Sequence, residues 1–204
     1  MVEPIEVNVE EGPGGKVTIR EAEYTSQGFA TNGLNPFERH SAGICCWYTG
    51  PKPATHEWPN NTFYGSYVAA GYGTETNFDA PYDLVNNTND VVNNTDGSIV
   101  GYKYFDFQNT HGKNGVALLL NLTPAGIDGT IEIYADRPWA SQGILLGAIE
   151  LKADMPQTPT EMKAILPELG KLEYKRAIFF KFKSDVKDKS LCTLHDFVFV
   201  ADGK

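Results

Sequence analysis

Nothing in this 204-residue sequence approaches the roughly 20 consecutive apolar residues that cross a bilayer as a helix. No glycine-rich strand-to-helix fingerprint for a nucleotide is present, and no Gly-x-Ser-x-Gly elbow marks a hydrolase nucleophile. Basic side chains are in the minority, 17 against 26 acidic ones, for a formal net charge of -9. A nucleic acid or an anionic membrane would need a basic face, so this balance argues against both. Cysteine is scarce at 3 residues. Cys45 and Cys46 are neighbours and Cys192 is distant, which allows at most one bridge; the expectation is three reduced, buried small side chains. The four histidines, His40, His56, His111 and His195, show no metal-ligand spacing. The opening MVEPIEVNVEEGPGG lacks the charged-then-apolar pattern of a signal peptide. Asn-x-Thr sequons at Asn60, Asn86, Asn93 and Asn121 are matches expected by chance in an Asn- and Thr-rich chain.

What is present reads as one globular domain. Hydrophobic residues make up 41% and aromatics 12%, too rich for disorder, and the length is ample for one core. Alternating or continuous apolar stretches predict strands at Val17 to Tyr24, Ser98 to Phe107, Val116 to Leu120, Thr130 to Tyr134, Gly143 to Leu151, Tyr174 to Phe182 and Leu191 to Val200. In Ser98 to Phe107 the aromatics switch from Tyr102 and Tyr104 to Phe105 and Phe107, which predicts a bulge or face change midway. Gly, Pro and Asp clusters separate these runs, so the class is all-β and the architecture a β-sandwich. One short helix is expected, over Thr160 to Leu169. Residues 33 to 97 hold five prolines and the aromatics Trp47, Tyr48, Trp58, Phe63, Tyr64, Tyr67, Tyr72 and Tyr82. That reads as a long aromatic-rich insertion, functional or partner-facing.

Glu21 and Glu23 flank Ala22 and point the same way on a strand, about 7 Å apart. Such a pair suits a hard cation such as calcium, acid/base hydrolysis, or a solvated charged face. No third carboxylate continues the run, and no acid/nucleophile constellation is recognisable.

The segments VTIREAEYTSQG, DGSIVGYKYFDF, DGTIEIYAD and LCTLHDFVF occur in that order. Together they resemble family 6 carbohydrate-binding modules, in particular those on the C-terminal side of family 43 glycoside hydrolases. The resemblance covers roughly residues 16 to 200 apart from the insertion; the domain is taken as residues 16 to 204, and residues 1 to 15 look like the segment that joins such a module to its enzyme. It implies a β-jelly-roll sandwich, and a structural calcium held by Glu21 and Glu23, with Asp196 the nearest match to the last-strand Asp. By strand alignment Asp196 sits one residue late, where His195 falls. It implies as well a non-catalytic module that binds plant cell-wall polysaccharide of the xylan or arabinoxylan class for an attached glycoside hydrolase, outside the cell. The alternative is an accessory module that docks on its catalytic domain and binds no glycan alone.

The family's loop-end cleft sandwiches a sugar between two aromatic rings and orients it with an Asn. Here those positions resemble Asn93, the ring-free MPQTPTEM loop and Thr193. Weak binding is therefore expected at Asn93 and Thr193. Stacking needs an exposed ring against the apolar face of a pyranose. Trp58 and Tyr64 in the insertion, and Trp139 in the turn after Asp136-Arg137-Pro138, are the expected platforms. The Trp47-Tyr48 pair is expected to pack in the core.

Overall fold

The structure, a computed structural model, describes residues 7–9, 17–19, 33–53, 55–57, 60–70, 89–108, 115–141, 143–172 and 175–201. Two hydrogen-bonded sheets account for most of them. One runs in the order β12 (Ile144–Leu151), β11 (Gly129–Ala135), β14 (Lys175–Lys183), β9 (Ile99–Asp106) and β4 (Trp47–Thr49). The other runs β13 (Thr160–Ile165), β10 (Val116–Pro124), β15 (Cys192–Ala201), β8 (Asn89–Val92) and β7 (Tyr67–Ala70), with β3 (His40–Ser41) also paired to β15. Every pairing within them is antiparallel. Two short ribbons, β1 (Val7–Val9) with β2 (Val17–Ile19) and β5 (Thr55–Glu57) with β6 (Asn60–Thr62), complete the set.

Period-two patterning builds the core. Val116, Leu118, Leu120 and Leu122 of β10 and Phe197 and Phe199 of β15 point inward from one sheet. Tyr102, Ile131, Ile133, Ile178, Phe180 and Phe182 meet them from the other. Phe197 is the aromatic hub: its ring lies edge-on to Tyr102 at 4.8 Å and to Phe180 at 5.5 Å, a geometry that ring quadrupoles favour. The expected irregularity in β9 is there, as a register shift against β14 between the pairs Arg176–Phe105 and Ile178–Tyr102.

One expectation is corrected. Thr160 to Leu169 is no helix: β13 pairs with β10 from Ala117–Ile165 to Leu122–Thr160, and only Leu169–Lys171 forms a short 3₁₀ turn. Ala164, buried, alternates with exposed Glu161, Lys163 and Ile165, and the free edge of β10 supplies the ladder that decides for strand. Residues 33 to 97 contribute to the sandwich itself. They supply β3, β4, β7 and β8, so both sheets draw edge strands from this segment.

The three cysteines are free; Cys45 and Cys192 are buried, and Cys46 is half-buried with its thiol donating to the Gly101 carbonyl at 3.6 Å.

Candidate functional site

On β14, Ile178 and Phe180 face the core, so Phe179 between them faces out, yet it is only 1% exposed. What covers it comes from three elements. Phe179 pairs with Gly101 on β9, and Gly101 pairs with Trp47 on β4. A Cβ on Gly101 would stand 2.3 Å from the Phe179 ring, so only glycine lets that ring lie flat across the neighbouring strand. Trp139, carried by the turn that follows β11, caps Phe179 edge-to-face at 5.4 Å and 81°. The same indole stacks on Trp47 at 5.4 Å and 24°. The row continues through Tyr134, opposite Phe179, to the exposed Leu145, opposite Tyr134. Four strand spacings separate Trp47 from Leu145, about 19 Å, room for several sugar rings.

Trp139 is 51% exposed and Trp47 43%. This corrects the core assignment of the Trp47-Tyr48 pair, for Tyr48 is exposed as well. The physical reason is that β4 is a three-residue strand which, among the described residues, has a partner on one side only. Polar groups rim the platform. Asp136 accepts from Arg176 Nη1 at 3.0 Å, and Glu132 accepts from Lys183 Nζ at 2.5 Å and from the Tyr134 hydroxyl at 3.0 Å. Partial burial and then the Glu132 carboxylate push the Tyr134 phenol up, while the bond to Glu132 raises Lys183.

The other expected ligand residues lie elsewhere. Asn93, at φ 56°, spends its side-chain amide on the carbonyls of Phe63 (3.1 Å) and Gly65 (2.9 Å). It is a clamp on the segment carrying Tyr64, whose half-buried ring has Lys52 Nζ 5.5 Å above it. Thr193 pairs with Thr123 on the six-stranded sheet. Asn93 and Tyr64 are thus neighbours, whereas Trp139 belongs to the opposite sheet's outer face. Trp58 lies outside the described residues.

The one-residue offset at Asp196 has a structural cause. Opposite Asn121 and Leu122 the register of β15 slips, so that Asn121 pairs with Asp196 and Leu122 with Leu194. His195 is the extra residue of a β-bulge, and it projects outward beside Asp196 while Leu194 and Phe197 point inward. The two side chains do different work. His195 bridges strands, with Nδ1 2.9 Å from Asp90 Oδ1 and Nε2 2.7 Å from Thr123 Oγ1. Asp196 accepts from Arg39 Nη1 on one oxygen and from Asn121 Nδ2 (3.0 Å) on the other, and Arg39 also donates to Glu161 at 2.9 Å. The Arg39 guanidinium is raised by its bond to Glu161 first, with burial opposing and Asp196 adding to the rise.

As a calcium ligand Asp196 fits poorly, because both oxygens are engaged and a fixed cation stands beside it. Among the described residues, no group of three or more His, Cys, Asp or Glu side chains is arranged to hold a metal. Glu21 and Glu23 lie outside the described residues.

Trp47, Phe179 and Tyr134 were absent from the expected site. Phe179 and Tyr134 were visible only as exposed-face positions of strands read for their inward residues, and Trp47 only as a residue of the insertion expected to pack in the core; nothing local shows that β4, β9, β14 and β11 lie side by side.

No protein-family model and no curated protein matches this sequence. Solved structures do. A family 43 arabinoxylan arabinofuranohydrolase from Bacillus subtilis, solved in complex with cellotetraose, matches 95% of this chain at 17% identity and a TM-score of 0.56. The chain spans about a third of that enzyme's length, 33%. A β-1,3-glucan-binding family 6 module from Bacillus halodurans is covered over 98% of its length, with 82% of this chain, 17% identity and a TM-score of 0.55. A family 6 module from Clostridium cellulolyticum in complex with xylose is covered over 99%, with 82% of this chain, 19% identity and a TM-score of 0.54. At these identities the likeness is one of fold: this chain is built on the β-sandwich of family 6 carbohydrate-binding modules.

Proposed function

We propose that this chain is a non-catalytic carbohydrate-binding module whose glycan lies across the outer face of the five-stranded sheet, on the Trp47–Trp139 pair. One observation carries the reading: two indoles, each about half exposed, stack on one another, and one of them caps a buried Phe179 that only Gly101 accommodates. Exposed apolar surface costs roughly 25 cal/mol per Å², so the halves of both rings that stay in water gain nothing from folding alone. A pyranose presents an apolar C–H face that covers such a ring while its hydroxyls stay solvated. The shared fold supports the class of ligand, since modules of this architecture include ones named for β-1,3-glucan and solved with xylose. Xylan or arabinoxylan is the proposed target, an attached glycoside hydrolase the proposed partner, and the cell exterior the proposed location.

Calorimetry against xylan, arabinoxylan, cellulose and β-glucan tests this. Trp139→Ala is expected to weaken binding at least tenfold, about 1.4 kcal/mol, and to lower the melting temperature because it also uncovers Phe179, with a retained cooperative transition as the fold control. Thr193→Ala is expected to do little. Trp58→Ala matching or exceeding the loss at Trp139 would move the site to the aromatic segment instead. The chain is expected to release no sugar from arabinoxylan, and turnover abolished by His195→Ala would replace a binding module with an enzyme.

Calcium at Glu21 and Glu23 is proposed from the family resemblance, without Asp196. If it is bound, saturating chelator should lower the melting temperature, since calcium at a hundredfold excess over its Kd contributes about 2.7 kcal/mol. Superimposable melting curves with calcium and with chelator would remove it.

A further inference from the structure

We infer that the Trp47–Trp139 platform selects glycans that carry a carboxylate, with Lys181 as the group that pairs with it. The inference rests on the platform reading above and adds the class of sugar. Lys181 follows Phe179 by two residues on β14, so it stands on the same outer face, about 7 Å further along the strand. Its register partners are Ile99 on β9 and Glu132 on β11. Ile99 offers no charge. Glu132 is committed, with one oxygen accepting from Lys183 and the other from Tyr134. The carboxylate at the far rim, Asp136, is committed to Arg176. Among the described residues Lys181 has no hydrogen bond or ion pair, and it is half-buried against the sheet.

That combination is unusual in a chain with nine more acidic than basic side chains. Most of the cations around it are spent on their own carboxylates; this one stands uncommitted one row from an aromatic platform. A sugar ring stacked on Trp47 or Trp139 would hold a substituent within the sweep of the four-carbon Lys181 stem. On a polysaccharide of the proposed xylan class, the substituent that an ammonium recognises by charge as well as by hydrogen bonding is a carboxylate, as on a uronic acid. Nucleic acid, the other polyanion with rings to stack, is disfavoured by the overall charge of -9.

The test is calorimetry with two ligands of one xylo-oligosaccharide backbone, one bearing a glucuronic acid side group and the other its methyl ester. The acid is expected to bind about threefold to fivefold tighter at low salt, the range an exposed ion pair supplies, and the preference should fade at high salt. In Lys181→Met the acid-to-ester affinity ratio should fall to about one, with the melting temperature serving as the fold control. Equal affinities in the wild type, or a preference that survives Lys181→Met, would overturn the inference and leave the platform standing. Failure of both ligands to bind would overturn the inference together with the platform.

Discussion

Raising the pH from 9 to 11 is expected to lower the stability of this protein steeply. Three proton-bearing groups are buried in the core, where the charge left by a lost proton would be poorly solvated. Burial pushes the Cys45 thiol up to about 12 from 9.0, pushes Cys192 up further, and holds the Tyr102 phenol well above its ordinary 10.0. The Tyr102 hydroxyl donates to the Ala42 carbonyl at 3.1 Å, an arrangement that requires the proton. In the unfolded chain the thiols release protons above 9 and the phenol above 10. The folded chain keeps them. The unfolded state therefore binds fewer protons throughout this window, and linkage makes stability fall with rising pH. A group that keeps its proton on folding costs about 1.4 kcal/mol for each pH unit above its ordinary pKa, so the three act together in lowering stability across this window. A domain of ordinary stability has about 5–15 kcal/mol to lose. Below pH 9 the contribution is complete. Urea titrations at pH 8 to 11 measure the slope, and Tyr102→Phe should flatten it by about 1.4 kcal/mol per unit above pH 10. An identical slope in that variant would show that Tyr102 ionises freely in the folded state.

Asn94→Leu should cost roughly 3–5 kcal/mol, through the stranding of several polar groups at once. Asn94 is 0% exposed and its amide is fully used. Nδ2 donates to the carbonyls of Val91 and Cys192, both at 3.0 Å, and Oδ1 accepts from Ser66 Oγ at 2.7 Å. One side chain thus ties the end of β8 to the start of β15 and to the segment leading into β7. Leucine fills the same space but answers none of those groups, and an unpaired buried polar atom costs about 1–3 kcal/mol. Ser190 Oγ also donates to the Cys192 carbonyl at 3.0 Å, which softens one of the losses. The exposed pair Lys187–Asp96 is the contrast: its 2.6 Å contact lowers the Asp96 carboxyl, yet solvent screening leaves it worth about 1 kcal/mol at most. Equilibrium unfolding of Asn94→Leu beside Lys187→Ala reads both. A loss at Asn94 no larger than at Lys187 would mean that water takes over the amide's role.

Asn94 was not legible in the sequence as a hub, and the reason is general to this chain. Its strands were legible, because alternation along β9, β11, β14 and β15 is a local property of side-chain order. The face change in β9 was visible too, since consecutive aromatics interrupt the period there. Where local signals ran out, the reading failed in a specific way. Thr160 to Leu169 carries little that separates a short helix from an edge strand, and the open edge of β10 made the choice. The bulge at His195 registered only as a one-residue misfit, because the slip exists in the pairing of β15 with β10 and not in either strand alone.

The candidate site divides along the same line. Its parts were all in the sequence, and Trp139 was singled out from its turn alone. Sequence by itself determined an acidic all-β sandwich with an excess of aromatic residues over what one core needs. Only tertiary structure decided which of them face water together. Trp47, Gly101, Phe179 and Tyr134 come from four strands that are adjacent in the sheet and distant in the chain, joined by hydrogen-bond register rather than by sequence spacing. Side-chain period fixes the face a residue takes on its own strand, but the neighbour across that face is set by strand order, which is a property of the whole folded chain.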